Sequence, residues 1–225
     1  RLDHNGRADV HLYLVSPDRP DLTHLVEQAG WPALATDAAT PGWQTRPYGP
    51  LLDRLAEGDT WAFRLTANPV HHIRRKPGEP TKRTAHLTAR HQLGWLLDEE
   101  RQKRCGFQVL EKPAARRLLP AGTTHKGHPH HGDRYELTVT DERSLNFRKG
   151  ASTGTSAGAG ASGGGPDGSN PRRQPVRLVT VTYDGRLKVT DPDALRRTLT
   201  QGLGKARAYG CGLMTLAPLP PATPP

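Results

Sequence analysis

The chain has 225 residues, enough for one large domain or two small ones, and it carries 32 Lys and Arg against 22 Asp and Glu, a formal net charge of +10. Its apolar runs stay well short of the roughly 18–20 residues of a membrane span, its first residues lack a signal-peptide pattern, and two cysteines exclude a disulfide framework. We therefore expect a cytoplasmic protein with no membrane partner. Residues 1–50 hold four Arg and no Lys against six acidic residues, so the positive excess lies in residues 51–225. Such an excess favours a nucleic-acid partner over charge that only maintains solubility.

The N-terminal residues predict a β-hairpin. Asn5-Gly6 is a strong signal for a two-residue hairpin turn, because both turn positions need φ > 0. The second strand, residues 10–15, alternates and then runs apolar, as a core strand would, whereas the first is cut to residues 1–3. Because the first strand is so short and the first residue is Arg, we expect further sequence upstream of Arg1.

A helix and a short strand follow the hairpin. Pro20 and Asp21 begin the helix, and Gly30 ends it. The short strand is predicted near residues 45–52. Together with the hairpin, residues 1–57 therefore end in the order strand, helix, strand.

From residue 59 onward, strand and helix patterns alternate. Apolar residues such as Trp61 and Phe63 recur at every second position in the first of these strands. Thr88 is the N-cap of the next helix, and Asp191, followed by Pro192, begins the last one. The predicted strands are residues 59–73, 107–110, 134–150, 175–184, 186–189 and 213–217.

The order of these elements predicts the fold class. Asp184-Gly185 predicts a turn into the short strand at 186–189. Without that strand, and with residues 107–110 taken only as the beginning of a strand, we interpret the order from residue 59 as βαββαβ, a ferredoxin-like split unit. A lost strand and helix before residues 1–57 would make a second such unit. We therefore predict an α+β fold of two tandem ferredoxin-like (RRM-like) domains, the first lacking its opening strand and helix. The predicted boundaries are 1–57 and 58–218, with a Pro-rich tail at 219–225.

Residues 150–170 are of low complexity, with eight glycines among small polar residues, and they predict a flexible loop at the tip of a hairpin. Five basic residues flank this insert and are candidates for phosphate contacts, with solvated strand-end charge as the alternative. The basic loop at 74–83 leaves the same two alternatives open. The five flanking residues are Arg148, Lys149, Arg172, Arg173 and Arg177.

The stretch GLGKARAYGCG at 202–212 holds four glycines and two cations directly after the last predicted helix. A helix C-cap accounts for only one or two glycines. Close approach of an RNA backbone to main-chain N–H groups, with the cations neutralising phosphates, would account for the cluster. A nucleotide phosphate loop is disfavoured, because such a loop follows a strand and opens a helix, the reverse of the order here. The predicted RNA contacts are Gly202, Gly204, Lys205, Arg207, Gly210 and Gly212.

Two further features carry weaker signals. The stretch HKGHPHHG at 125–132 has four histidines without a carboxylate or Cys at ligand spacing, so we interpret it as fortuitous affinity and predict no metal site and no cofactor. Cys211 is interpreted as a packing residue. His71 and His72 are interpreted as surface or RNA-facing residues.

Several stretches of the chain resemble the CasE family, the endoribonuclease that processes precursor CRISPR RNA in type I-E systems. The longest, at 183–219, is the most specific, while the glycine insert and residues 112–133 lie outside the resemblance. The matching stretches are SPDRPDL (16–22), TRPYGPLLDRL (45–55), RLTANPV (64–70), AHLT (85–88) and YDGRLKVTDPDALRRTLTQGLGKARAYGCGLMTLAPL (183–219).

The resemblance implies two ferredoxin-like domains that grip the stem-loop of a CRISPR repeat transcript. It further implies a single metal-independent cut at the 3′ base of the stem and retention of the product within the Cascade complex. The implied partners are CRISPR repeat RNA and the other Cascade subunits. In the family, the hairpin that corresponds to the one around the insert carries arginines into the RNA stem.

The resemblance also bears on catalysis. In the family, the catalytic histidine lies on or beside the first helix of the first domain, a position expected upstream of Arg1. No catalytic residue is therefore assigned in this sequence, and His4 is not a match. The alternative function is a non-catalytic subunit that binds the RNA hairpin.

Overall fold

The computed structural model describes residues 2–4, 10–29, 42–74, 76, 78–123, 129–147 and 176–219. It shows a mixed α+β protein with an antiparallel sheet, as predicted. The strands are β1 (Leu2–His4), β2 (Val10–Leu12), β3 (Thr60–Ala67), β4 (Val70–Ile73), β5 (Lys82–Ala85), β6 (Phe107–Val109), β7 (Gly122–Thr123), β8 (Pro129–His130), β9 (Leu137–Phe147), β10 (Val176–Val189) and β11 (Met214–Ala217). The helices are α1 (Thr23–Ala29), α2 (Gly49–Asp53), α3 (Ala89–Leu96), α4 (Glu99–Cys105) and α5 (Pro192–Gln201).

The main sheet has the strand order β11-β3-β10-β6, and β9 also pairs with β10. Every pairing in it is antiparallel. β9 and β6 both lie along the side of β10 that faces away from β3, so they act as one interrupted edge strand with residues 110–136 inserted between them. With β6 and β9 counted as one strand, and the hairpins β4–β5 and β7–β8 left aside, the main sheet and its helices have the strand-helix-strand-strand-helix-strand order.

The hydrophobic core lies on one face of this sheet. Leu65 and Tyr183 are fully buried there, together with Leu195 on α5 and Leu96 on α3. The Tyr183 hydroxyl donates a hydrogen bond of 2.8 Å to the Gln92 carbonyl oxygen, which links the sheet to α3. Apolar burial of this kind is the main stabilising term of a fold.

The opposite face of the sheet is polar. Arg64 on β3 and Asp184 on β10 form an ion pair of 2.5 Å, and the hydroxyl groups of Thr66 and Thr182 lie 3.1 Å apart. These residues alternate with the buried ones along each strand, which is the pattern of a sheet with one face on the core.

The predicted helix caps are confirmed. The side chain of Thr88 accepts a hydrogen bond from the His91 N–H at 3.4 Å, and that of Asp191 accepts one from the Ala194 N–H at 3.0 Å. Pro192 occupies the first turn of α5, where its missing N–H costs no helical bond.

The predicted turn at Asp184-Gly185 is wrong. β10 runs unbroken from Val176 to Val189 and pairs with β3 across the whole of this region. A Cβ at position 185 would lie 2.5 Å from the Glu136 carbonyl oxygen. The glycine therefore serves a close backbone approach within a strand instead of a turn.

Two other sequence predictions need correction. Residues 59–73 form two strands, because Pro69 has no N–H to continue the ladder and β4 instead pairs with β5 in a separate hairpin. Residues 45–52 form no strand. The helix α2 occupies Gly49–Asp53, with Pro50 in its first turn.

The N-terminal hairpin is present, with Leu2 opposite Leu12 and His4 opposite Val10, and the predicted turn at Asn5-Gly6 lies outside the described residues. The predicted core strand at 10–15 is wrong, because β2 ends at Leu12 and the apolar side chains of residues 12–15 are exposed. β1 and β2 form a two-stranded sheet of their own, apart from the main sheet that carries the core. Among the described residues, no helix is long and apolar enough to cross a membrane.

Candidate nucleic-acid interface

The glycine stretch forms a loop that is closed on itself between α5 and β11. The Leu203 N–H donates to the Gly212 carbonyl oxygen at 2.8 Å, so the two ends of the loop are joined. Leu203 and Cys211 point inward, with 7% and 4% of their surface exposed. Cys211 is thus a packing residue, as predicted, and burial raises the pKa of its thiol.

All four glycines of this loop have a positive φ. At Gly212, where φ is 91°, a Cβ would lie 2.5 Å from the Leu203 carbonyl oxygen. At Gly204, where φ is 86°, a Cβ would lie 3.1 Å from the Trp95 ring. The conformation of the loop therefore accounts for more glycines than a simple helix cap, and the number of glycines does not by itself require an RNA contact.

Hydrogen bonds within the protein engage several of the predicted phosphate-binding groups. The Gly212 N–H donates to the Thr66 carbonyl oxygen at 2.7 Å, and the Gly210 N–H donates to the Arg207 carbonyl oxygen at 3.1 Å. The Gly202 N–H donates to the Thr198 carbonyl oxygen at 2.9 Å and so ends α5. These three amides are occupied by the fold.

The two cations of the loop are placed differently. The Arg207 guanidinium donates to the Gln201 carbonyl oxygen at 2.7 Å, which caps the C-terminal end of α5. Lys205 is exposed, and its backbone bridges to Asn68 at the end of β3. Arg207 is exposed as well, so both cations reach solvent, and Arg207 differs from Lys205 in that its guanidinium holds the end of α5.

A second cation lies next to the loop, on the Trp95 ring. The Arg101 guanidinium carbon lies 4.3 Å from the centre of that ring, and Arg101 also donates a hydrogen bond to the Trp95 carbonyl oxygen. Burial lowers the pKa of Arg101, and Arg104 lowers it further, while Asp98 at 3.9 Å opposes the shift. Gly204, the neighbour of Lys205, also packs against the Trp95 ring, so the glycine loop and Arg101 contact the same aromatic residue.

Three half-buried imidazoles form a stack on the same side of α3. The rings of His71 on β4 and His86 after β5 lie 4.3 Å apart, and the rings of His86 and His91 on α3 lie 5.8 Å apart. We call these three residues the histidine column. Burial is the main cause that lowers the pKa of His86 to about 4, with smaller effects from the positive charges of His71, His91 and Arg101. The sequence interpretation of His71 as a surface or RNA-facing residue did not include the column, because no local pattern joins positions 71, 86 and 91.

His91 is held by its neighbours through both ring nitrogens. Its Nδ1 lies 2.7 Å from the Thr88 hydroxyl, and its Nε2 lies 2.9 Å from an Arg90 guanidinium nitrogen. Since Arg can only donate, Nε2 accepts and the proton of the neutral ring is on Nδ1. His91 and Trp95 are four residues apart on α3, so the histidine column and the glycine loop meet along one helix face.

Of the five predicted contacts around the glycine insert, the structure describes one, Arg177. Arg148, Lys149, Arg172 and Arg173 lie outside the described residues, as does the insert itself. Arg177 is exposed near the start of β10, opposite Asn146 on β9. In the basic loop at 74–83, the described cations are exposed: Arg74, Lys76, Lys82 and Arg83.

The histidine-rich stretch at 125–132 is described in part. His131 contacts the Tyr135 ring edge-on at 5.5 Å, and burial lowers the pKa of His131. In the part of the chain that the structure describes, no group of three or more His, Cys, Asp or Glu residues could hold a metal ion.

The fold and this surface define an α+β protein with an antiparallel sheet, helices on one face and cations gathered around α3 and the glycine loop. The family model described as "CRISPR associated protein" matches residues 1–218, and the chain belongs to this family. The family assignment agrees with the resemblance found in the sequence.

Two curated relatives are similar in sequence. The CRISPR-associated endoribonuclease Cse3 of Thermus thermophilus is 27% identical over 176 residues, which are 78% of this chain and 64% of that protein. The CRISPR system Cascade subunit CasE of Escherichia coli is 44% identical over 43 residues, 19% of this chain and 22% of that protein. The chain thus spans less than two thirds of the length of the relatives it matches.

Solved structures of the same kind are also similar. Thermus thermophilus Cse3 bound to an RNA representing a pre-cleavage complex has a TM-score of 0.49 and 24% identity, with 78% of this chain and 60% of that chain covered. Cse3 bound to a 19-nucleotide RNA has a TM-score of 0.47 and 25% identity, with 78% and 61% covered.

Proposed function

We propose that this chain binds the stem-loop of a CRISPR repeat transcript and serves as the RNA-processing endoribonuclease of a type I-E system. The cut falls at the 3′ base of the stem without a metal ion, and the product stays bound within Cascade. The observation that carries this proposal is the 27% identity over 176 residues with the endoribonuclease Cse3. In this proposal, residues 58–218 form one ferredoxin-like domain and residues 1–57 belong to another.

The geometry supports an RNA contact centred on Lys205. This side chain is exposed on a loop whose backbone is fixed by internal hydrogen bonds, and Arg101 lies over the Trp95 ring, against which Gly204 packs. Cations held close together on a surface attract the phosphates of a nucleic acid and account for most of its sequence-independent affinity. Gly204 and Lys205 are therefore the loop residues that we place against the RNA backbone, while Arg207 and Gly212 hold the loop in shape.

The basic residues at the tip of the β9–β10 hairpin remain part of the proposed interface. Arg177 is exposed near the start of β10, and Arg148, Lys149, Arg172 and Arg173 are the other cations that we propose for the RNA stem. Their contacts would add affinity for the stem, because A-form RNA is recognised chiefly through its backbone and its ends.

Binding to the repeat stem-loop tests the proposal directly. Lys205→Gln should weaken binding about threefold to tenfold and reduce the dependence of the dissociation constant on salt, since one phosphate contact is lost. Lys188→Gln is the matched control, because Lys188 is also exposed but lies opposite Thr60, at the other end of β3 from Asn68 and Lys205. Equal effects of the two substitutions would contradict the placement of RNA at the loop, and no binding by the unaltered chain would contradict the proposed function.

Cleavage is a separate outcome of the same assay. Product formed from the stem-loop in EDTA supports the endoribonuclease, whereas tight binding without product supports the alternative function, a subunit that holds the RNA hairpin. Measuring RNA binding and RNA cleavage on the same preparation distinguishes the two outcomes.

A further inference from the structure

The histidine column lies in a surface region where positive charge dominates. Arg90 on α3 donates to His91, and Arg101 on α4 is close enough to lower the pKa of His86. Among the described residues, two carboxylates lie on this side: Asp98 is 3.9 Å from Arg101, and Glu142 on β9 accepts a hydrogen bond of 2.6 Å from the Gln92 side chain. The same Gln92 amide nitrogen also donates to the His86 carbonyl oxygen at 3.1 Å, so Glu142 is engaged by the fold.

In the free protein, this arrangement disfavours a proton on His86, the central ring of the column. Burial of the His86 ring is the main cause, and positive charge on His71, 4.3 Å away between ring centres, on His91 or on Arg101 adds repulsion. An anion next to the rings would instead favour the protonated form, because an opposite charge within about 4–6 Å favours the charged form of a titratable group.

The column also lies where the proposed RNA would pass. Its third ring, His91, is one helical turn from Trp95, whose ring packs under Gly204 of the glycine loop. Its first ring, His71, belongs to the β4–β5 hairpin, whose exposed end carries Lys82 and Arg83. A backbone that follows these cations from Lys205 to the hairpin crosses the three rings.

We infer that the histidine column is part of the RNA interface and takes up a proton when RNA phosphates bind to it. This inference rests on the proposed function. RNA binding should then become tighter as the pH falls, because a ligand that favours the protonated form of a group binds with proton uptake. Binding through Lys and Arg alone would show no such dependence near neutral pH.

The geometry of these three rings does not suit a metal site. The planes of the stacked pairs are inclined by only 28° and 24°, so the rings lie face to face, and both nitrogens of His91 have partners. Metal ligation needs nitrogen lone pairs that converge on one point.

The test is the affinity for a fluorescein-labelled stem-loop RNA of the host's CRISPR repeat, measured by anisotropy at constant ionic strength at pH 7.5 and pH 6.0. The dissociation constant of the unaltered chain should fall about fivefold to tenfold between these values if about half to two thirds of a proton is taken up on average over this range. His71→Gln and His86→Gln should each remove most of this change. His72→Gln is the matched control, because His72 is exposed on the neighbouring position of β4 and is not a member of the column. Circular dichroism at both pH values checks that each variant is folded.

The outcomes separate the inference from the proposed function. RNA binding whose pH dependence is the same in the unaltered chain, His71→Gln and His86→Gln overturns the inference and leaves the proposed function standing. RNA binding at neither pH overturns the proposed function and the inference with it. If His86→Gln does not fold, His71→Gln decides, and calorimetry in two buffers of different ionisation enthalpy measures proton uptake on the unaltered chain.

Discussion

Gly212→Ala should destabilise the protein far more than Gly210→Ala, although both glycines lie in the same loop with nearly the same φ. The values of φ are 91° at Gly212 and 79° at Gly210, so an L residue is strained by about 1–2 kcal/mol at either position. A Cβ at position 210 would meet no atom within 4 Å. A Cβ at position 212 would lie 2.5 Å from the Leu203 carbonyl oxygen, which itself belongs to the segment that closes the loop.

The difference can be estimated from these contacts. Relief of an overlap in a packed region costs about 1–3 kcal/mol in addition to the strain, so Gly212→Ala should lose roughly 2–5 kcal/mol of the free energy of unfolding and Gly210→Ala about 1–2 kcal/mol. For a chain of this size, a difference of about 2 kcal/mol corresponds to roughly 4–8 °C in Tm. Thermal and urea unfolding of both variants, followed by circular dichroism, measure it.

The result also separates the two explanations of the glycine loop. If the glycines serve the fold, Gly212→Ala loses stability, and its RNA affinity falls only to the extent that the loop is displaced. If the two variants have equal stabilities while Gly212→Ala alone loses RNA affinity, the reasoning from the Leu203 contact is refuted and the glycine acts on the RNA.

Two further predictions concern stability. Because the folded-state pKa of His86 is about 4, below its ordinary value of 6.5, the unfolded state binds the proton more readily, so the free energy of unfolding should fall as the pH decreases from about 6.5 toward 4. Allowing for partial exposure of the ring, the loss of free energy of unfolding is about 1–2 kcal/mol. Urea unfolding as a function of pH should show this loss in the unaltered chain. The free energy of unfolding of His86→Gln should depend less on pH. Asp191→Ala removes the side-chain acceptor for the Ala194 N–H and should cost about 1 kcal/mol, measured by thermal unfolding against Asp193→Ala, whose carboxylate is not the N-cap.

The sequence predicted correctly the features that depend on residues close together in the chain, namely two helix caps and the buried face of β3. Thr88 and Asp191 cap their helices as the sequence indicates, because a cap depends on side chains within three residues of the helix start. The alternation at Trp61 to Ala67 predicted the buried face of β3, since that pattern follows from the period of the strand itself.

The errors arose where distant parts of the chain decide the conformation. Asp184-Gly185 is a turn signal in isolation, yet pairing with β3 keeps the strand extended and Gly185 admits the Glu136 carbonyl oxygen. The helix α4 was not predicted as a separate element, although Asp98 caps its start and Gly106 ends it in a left-handed conformation.

The candidate site was predictable only in part, for the same reason. The sequence indicates the glycine loop and Lys205, because the glycines and the cations are adjacent. The histidine column depends on the pairing of β4 with β5 and on the packing of α3, which place His71 and His86 side by side. Arg207 is indistinguishable from Lys205 in sequence, and only its bond to the Gln201 carbonyl oxygen shows that it caps α5.

The rigidity of the glycine loop bears on how an RNA contact can be strong with few cations. A lysine on a mobile loop must be ordered when it binds, and ordering of loops and long side chains costs free energy that is subtracted from the affinity. Here the main chain on both sides of Lys205 is already fixed, by the bond from Leu203 to Gly212 and by the bridge to Asn68. Only the lysine side chain remains to be ordered. Substitutions that loosen the loop without touching Lys205, such as Arg207→Ala, should therefore weaken RNA binding through this ordering cost while leaving the charge contact itself in place.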